Sequence, residues 1–201
     1  MQPTITGIVL TGNSERLLEQ CLSSLAFCTK LLVVDSLSKD ASVAIAEKHG
    51  AKILSRAWTG IGDQFRFAFE HIDTDWIIIL DSDEVCTRKL QTEVKAAINS
   101  PNPPDGFFMP RRSWYFNRFV MHSGWRPDRL YRLFKNGAVD MRLSGAHQTF
   151  HPTATFGNLE GDIIHYPYSS FANHLEKLND YAERGANDLL AKGRSGGLGA
   201  V

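Results

Sequence analysis

Trp76-Ile77-Ile78-Ile79-Leu80-Asp81-Ser82-Asp83-Glu84 decides the fold of this chain. Five consecutive bulky apolar residues leave no polar face, so they read as a strand covered on both sides, as in a parallel sheet. The run ends in two carboxylates one residue apart, at the end of the strand where open α/β sheets collect their ligands. Held that close, Asp81 and Asp83 repel each other unless a cation lies between them. A hard divalent ion whose remaining positions are filled by phosphate oxygens meets that demand. The spacing therefore predicts a metal-diphosphate site. The competing structural reading makes Asp81 a cap for the next helix and leaves Asp83 to solvent.

On either side of this stretch, strands and helices alternate. Residues 5–10 form a candidate first strand, followed by the turn Thr11-Gly12-Asn13-Ser14, which closes on good N-cap residues. Leu18, Cys21, Leu22 and Leu25 then share one helical face. A second strand over 31–35 ends in Asp35 and leads through 36–40 into a helix reaching about residue 49. A short strand over 51–55, a helix over 63–71, the strand 76–81 and a helix over 89–98 follow. Single helices between strands imply right-handed parallel crossovers, hence an α/β fold with a mostly parallel sheet and helices on both faces. Residues 100–105 are a loop. Beyond it, strands are expected at 106–112, 130–134 and 162–165 with aromatic loops between them. A last amphipathic helix carries Phe171, Leu175, Leu178 and Ala182 on one face. The chain thus reads as one domain in two halves, 1–100 and 101–195, and residues 196–201 neither cap a helix nor complete a strand.

At 201 residues the chain is long enough to bury a proper core. Lys and Arg number 22, as do Asp and Glu, so a formal net charge of zero gives no global sign of a nucleic-acid partner. Cys21, Cys28 and Cys86 are an odd number without metal-ligand spacing and suit packing in a reducing compartment. The first residues lack a basic region followed by an apolar run, and no stretch approaches the roughly 20 apolar residues of a membrane span. A cytosolic soluble domain is the expectation.

Three polar clusters close the predicted strands of the first half: Thr11, Asn13 and Glu15; Asp35 and Ser36; and Asp81, Ser82, Asp83 and Glu84. They should converge in space. Asp35 is placed to accept from ribose hydroxyls or a base N–H, and its competing role is a turn or cap residue. No Gly-x-Gly-x-x-Gly follows the first strand and no Gly-x-x-x-x-Gly-Lys occurs, so dinucleotide and P-loop readings lose support.

Asn13-x-Glu15, Asp35-Ser36-x-Ser38-x-Asp40, Asp81-Ser82-Asp83-Glu84 and Pro127-Asp128…Arg132-Leu133-Phe134 resemble family 2 glycosyltransferases of the GT-A fold. His165-Tyr166-Pro167-Tyr168 and Lys177…Tyr181 narrow the resemblance to small lipopolysaccharide-core enzymes that add β-1,4-glucose to inner-core heptose. It runs over about residues 5–194. The resemblance implies an inverting, metal-dependent transfer from a UDP-sugar, UDP-glucose first, to a phosphorylated glycolipid acceptor. Thr11, Asn13, Glu15, Asp35, Ser36, Arg66, Asp81 and Ser82 would bind the donor, and Asp81 and Asp83 would hold Mg²⁺ or Mn²⁺. The chain departs from the family pattern at three places. Leu37 and Lys39 stand where many relatives carry Gly and Thr, Gln64-Phe65-Arg66-Phe67 replaces an Arg-Asn or Lys-Asn pair, and His147-Gln148 replaces His-Glu. An amide accepts no proton near neutral pH, which leaves Asp128 and His147 as the candidate bases; each also has a structural reading, Asp128 as an arginine's partner and His147 as a hydrogen-bonded histidine.

Residues 111–135 hold seven basic side chains against the single acid Asp128, interleaved with seven aromatics. Aromatic faces stack on sugars and arginines pair with phosphate, so Trp114, Trp125, Arg126 and Arg132 are candidate acceptor contacts. The same segment suits peripheral contact with the anionic inner face of the cytoplasmic membrane. Alternation between core and surface and single-stranded nucleic acid are the competing readings, and no nucleic-acid partner is expected. Relatives usually continue with a more apolar tail, so a truncation at Val201 is expected. Two other classes stay open. The apolar-strand-Asp-x-Asp-x-Val pattern also fits haloacid-dehalogenase-like phosphatases, with Asp81 as nucleophile, although three βα units precede it here. Gln148 also admits a non-catalytic sugar-nucleotide-binding domain.

Overall fold

The computed structural model describes residues 2–122, 125, 127–144, 147–191 and 193. Strands β1 (Ile5–Thr11), β2 (Lys30–Asp35), β3 (Lys52–Ser55) and β4 (Trp76–Asp81) lie parallel in the order β3-β2-β1-β4. Helices α1 (Glu15–Ser24), α2 (Ser42–Lys48) and α3 (Ile61–Phe69) connect them. The apolar run of β4 is covered on both faces, as read. Trp76, Ile78 and Leu80 join one core with Leu18, Leu22, Leu25 and Ala46 of α1 and α2, and Ile77 and Ile79 join the other with Phe65 and Ala68 of α3. Each such fully buried aliphatic side chain contributes about 1.5–3 kcal/mol. Cys21 and Cys86 are buried and Cys28 is partly buried; all three are free thiols. Burial pushes the Cys28 thiol up to about 12.

The second half extends the same sheet with antiparallel pieces. After β5 (Glu84–Cys86) and α4 (Arg88–Ile98) come β6 (Gly106–Tyr115), β7 (Arg118–Phe119) and β8 (Arg129–Lys135). Strands β9 (Val139–Ser144) and β10 (His147–Pro152) form a separate antiparallel hairpin, followed by β11 (Phe156–Asn158), β12 (Ile163–His165) and helix α5 (Phe171–Ala191). The sheet continues from β4 through β8, β6 and β12 to β5. β8 is antiparallel to β4, and β12 is antiparallel to β5 with His165 opposite Glu84. The expected strands at 106–112, 130–134 and 162–165 are present; β5, β7, β11 and the β9–β10 hairpin are additions.

Two local expectations are corrected. Ser14 does not cap α1 with its side chain. Its hydroxyl is drawn instead to Gly12 N, at 3.3 Å, and to the Ser82 hydroxyl, at 3.0 Å. The apolar face of α5 is not covered either: Phe171, Leu175 and Leu178 are 50–55% exposed. Residues 196–201 lie outside those described.

Candidate active site

In-register parallel pairing lines up the strand ends. Thr11 sits opposite Asp35 and Leu10 opposite Asp81. The loops beyond β1 and β2 then clamp each other. Asn13 Oδ1 accepts the Lys39 N–H at 2.8 Å, Asn13 N–H donates to Ser38 Oγ at 2.9 Å, and Glu15 Oε2 accepts the Ala41 N–H at 2.9 Å. Buried Asp35 accepts the Ser38 N–H at 3.1 Å. Asn13 and Leu37 take left-handed backbones, with φ of 53° and 60°. Asparagine tolerates this; for leucine it is strained. A glycine at position 37 would carry no such strain, so the leucine there has no structural explanation.

Above these loops lies a cleft of about 370 Å³. Thr11, Asn13, Ser36, Asp81 and Ser82 line it, together with Trp58 and Ile61, which the sequence reading did not single out. Its only sequence signal was a large aromatic in the short loop Arg56-Ala57-Trp58-Thr59-Gly60. The Thr11 hydroxyl is buried with no hydrogen-bond partner among the described residues. Arg66 is not in the lining; it pairs with Asp63 at 2.5 Å on an exposed turn of α3.

The acidic turn is supported from below. Arg132 is 8% exposed and donates Nη2 to Asp81 Oδ2 at 3.0 Å and Nη1 to Oδ1 at 3.3 Å. Arg132, expected among the acceptor contacts, is thus a buried charge partner of Asp81. Burial alone would raise the Asp81 carboxyl, but Arg132 outweighs it and holds the group below its ordinary value. Fully buried Glu84 accepts the Asp81 N–H at 2.9 Å and the Arg111 guanidinium at 3.2 Å. Burial, then the Asp81 charge, pushes it up to about 7. Arg111 also donates Nε to Asp128 at 2.7 Å, so the candidate base Asp128 is bound into this network.

Asp83 is the carboxylate of the turn that no arginine claims in these pairings. Burial and the Asp81 charge raise it to about 6. His165 Nε2 lies 3.7 Å from it, and Nδ1 is 3.2 Å from the Ser113 hydroxyl. Burial, then Arg111, pushes His165 down to about 3, so the imidazole is neutral at physiological pH. That is the form in which histidine binds metals. Among the described residues no three His, Cys, Asp or Glu side chains are grouped to hold a metal by themselves. The donor set Asp83 and His165 fits a divalent ion whose other positions a bound diphosphate fills.

Elsewhere the expected residues divide. Trp114 packs edge-on against Phe119 at 4.8 Å, and Trp125 stacks on Tyr115 at 6.2 Å. Arg126 lies outside the described residues. His147 opens β10 opposite Ser144, and its side chain is outside the described set. Five of the seven basic residues of the segment already have acidic partners: Arg111, Arg112, Arg129, Arg132 and Lys135 pair with Glu84 and Asp128, Asp162, Glu160, Asp81 and Asp105.

Strand ends converging on one polar cleft, with a mixed sheet completed by antiparallel strands, are the architecture of the GT-A glycosyltransferase fold. The chain belongs to glycosyl transferase family 2, whose family model matches residues 7–159. An uncharacterized glycosyltransferase of Rickettsia conorii is 27% identical over 94% of this chain and 72% of its own length. The lipopolysaccharide core biosynthesis glycosyltransferase LpsC of Rhizobium meliloti is 23% identical over 94% and 73%. Among solved structures, S. aureus TarS superposes with a TM-score of 0.59 at 16% identity, over 81% of this chain and 36% of TarS. Its fragment 1–349 with UDP-GlcNAc gives 0.51 at 23%, over 61% and 38%. These likenesses show the fold, and the chain spans less than half the length of the TarS chains. The phosphatase reading falls with the family assignment.

Proposed function

We propose that the chain is an inverting, metal-dependent glycosyltransferase that moves a sugar, glucose from UDP-glucose first, to a lipopolysaccharide inner-core acceptor. The observation that carries this reading is the single cleft walled by Thr11, Ser36, Asp81 and Ser82 from three separate strand ends. The partnerless Thr11 hydroxyl in it supports a polar ligand. The name of the LpsC relative supports the acceptor class, and the UDP-GlcNAc complex of TarS supports the donor class.

In this reading Thr11, Asp35, Ser36 and Ser82 bind the nucleoside part, while Asn13 and Glu15 hold the loops that shape its cradle. Asp83 and His165 would hold Mg²⁺ or Mn²⁺, with Asp81 fixed beside them by Arg132. When bound, that ion supplies positive charge against the leaving diphosphate. The acceptor hydroxyl must lose its proton on the opposite face of the sugar. Asp128, oriented by Arg111, is the candidate base, with His147 the alternative. The enzyme would meet its glycolipid acceptor as a peripheral protein at the inner face of the cytoplasmic membrane. No described helix is long and apolar enough to cross a membrane.

Calorimetric titration of UDP-glucose with Mn²⁺ and with EDTA, on wild type and Asp83→Ala, tests the donor reading. Metal-dependent binding lost in the variant is expected. Tight UDP-glucose binding that ignores both EDTA and the substitution would overturn it.

A further inference from the structure

A second cleft adjoins the acidic turn. The Asp83 carbonyl accepts the Tyr166 N–H at 3.0 Å, and Tyr166 lines a hollow of about 370 Å³. Trp114 and Tyr115 at the end of β6, Phe116 from the β6–β7 turn and Tyr168 from the segment after β12 supply the other aromatic walls, with Arg16 of α1 beside them. The first cleft is lined by Asp81 and Ser82, the second by the partner of Asp83. One three-residue turn therefore separates two ligand-sized hollows.

The geometry points to this second cleft as an acceptor site for a sugar ring bearing an anionic substituent, with the aromatic walls taking the ring and Arg16 reading the charge. It rests on the sugar-transfer reading above and adds to it the acceptor's place and the side chains that would read its charge. The size falls within the range of small-molecule pockets. The walls are held in place by their own packing: Tyr115 and Tyr168 meet edge-on at 5.3 Å, Tyr168 stacks on His174 at 4.1 Å, and the Tyr115 hydroxyl bonds the His174 ring. Rigid aromatics bind with little loss of side-chain entropy. No acid is among the lining residues. Arg16 donates one Nη2 bond to the Tyr166 carbonyl at 2.9 Å, and a guanidinium has five N–H donors. A charge-assisted bond to a phosphate or carboxylate is what such an arginine provides. Lys177, bound to the Pro167 carbonyl at 2.7 Å and 5.6 Å from the Tyr168 ring, adds a second cation next to the same wall.

Titration of the intact chain with deacylated lipopolysaccharide inner-core oligosaccharide, followed by tryptophan fluorescence, tests this without any donor present. The oligosaccharide is used as isolated and after hydrofluoric acid dephosphorylation, on wild type, Arg16→Ala and Tyr168→Ala. Wild type should bind the phosphorylated form roughly tenfold more tightly. That preference should vanish in Arg16→Ala, and Tyr168→Ala should weaken both forms. Equal affinity of wild type for the two forms, binding of neither, or equally tight binding of a dT oligonucleotide would overturn the assignment. Failure of UDP-glucose to bind while the oligosaccharide still does would count against the donor reading alone.

Discussion

Asp81 and Asp83 are one residue apart in sequence, yet their surroundings set them opposite tasks. Both Asp81 oxygens are taken by Arg132, which lies 51 residues further along the chain. Removing that arginine would leave the Asp81 charge unpaired, and because the Asp81 side chain is 40% exposed at the cleft, solvent screening holds the cost to about 1–3 kcal/mol. Arg132→Met is therefore expected to lower stability by that order in urea melts, and adding Asp81→Asn should recover much of it. Asp83→Asn should instead raise the urea midpoint at neutral pH, because burial and the Asp81 charge disfavour the ionised carboxylate, and lower transfer at least about 100-fold in a radiolabelled-sugar assay, because it removes ligand charge. Glu84 gives a pH signature. Its folded value is raised to about 7 from an unfolded 4.5, so between these the folded state holds more protons and stability falls as pH rises. Asp83 adds a fall in the same sense up to about 6, and His165, lowered to about 3 from 6.5, opposes it below 6.5. The wild-type minus Glu84→Gln stability difference should become less positive, or more negative, as pH rises from 4.5 to 7.5 in EDTA, by on the order of 2 kcal/mol. A pH-independent gap would contradict the buried acid. The Asp-x-Asp was legible because it ends an unmistakable strand. Which carboxylate is free was not, because Arg132 and His165 reach it only through tertiary pairing.

At the scale of elements, continuous apolar runs were readable as strands, while a strand whose pairing partner carries no pattern of its own was not. Val139-Asp140-Met141-Arg142-Leu143 alternates as a half-buried strand should. Its partner β10 carries a single large apolar residue, Phe150, so the hairpin had no second voice in the sequence. That ring is the hairpin's buried anchor, with Val139 and Met141 of β9 packed against the same cluster: Phe150 meets Phe65 edge-on at 5.0 Å and lies 5.9 Å from Phe134 and 6.3 Å from Phe69. Phe150→Ala should cost about 3–4 kcal/mol, from lost transfer energy plus the cavity left behind. Because β10 also carries His147, sugar transfer should fall in the same variant while UDP-glucose binding, read by calorimetry, persists. A variant of wild-type stability would show that the hairpin is not held through this ring. β12 was expected at 162–165, but its three residues name no partner, and its pairing with β5 is what delivers His165 and Tyr166 to the acidic turn.

Over the whole molecule, a net charge of zero conceals how thoroughly the basic segment is answered from elsewhere. Five of its cations are already paired with acids drawn from β4, β5 and the loops around β6, β8 and β12. Local composition could not reveal this, because the answering acids are distant in sequence. It changes what membrane contact should depend on. Paired surface charges attract an anionic bilayer weakly, and salt screens what attraction is left. The uncovered face of α5 offers apolar area instead, through Phe171, Leu175 and Leu178, with the Phe116 ring 6.0 Å from Phe171. Removing about 100 Å² of such surface from water is worth roughly 2.5 kcal/mol, and salt does not weaken it. Sedimentation with vesicles of anionic phospholipid should therefore carry the chain down about equally at low and high salt. Leu175→Glu combined with Leu178→Glu should release it without a loss of thermal stability, since both side chains are half-exposed in the fold. Binding that disappears with salt and ignores the double substitution would return the membrane contact to the basic residues.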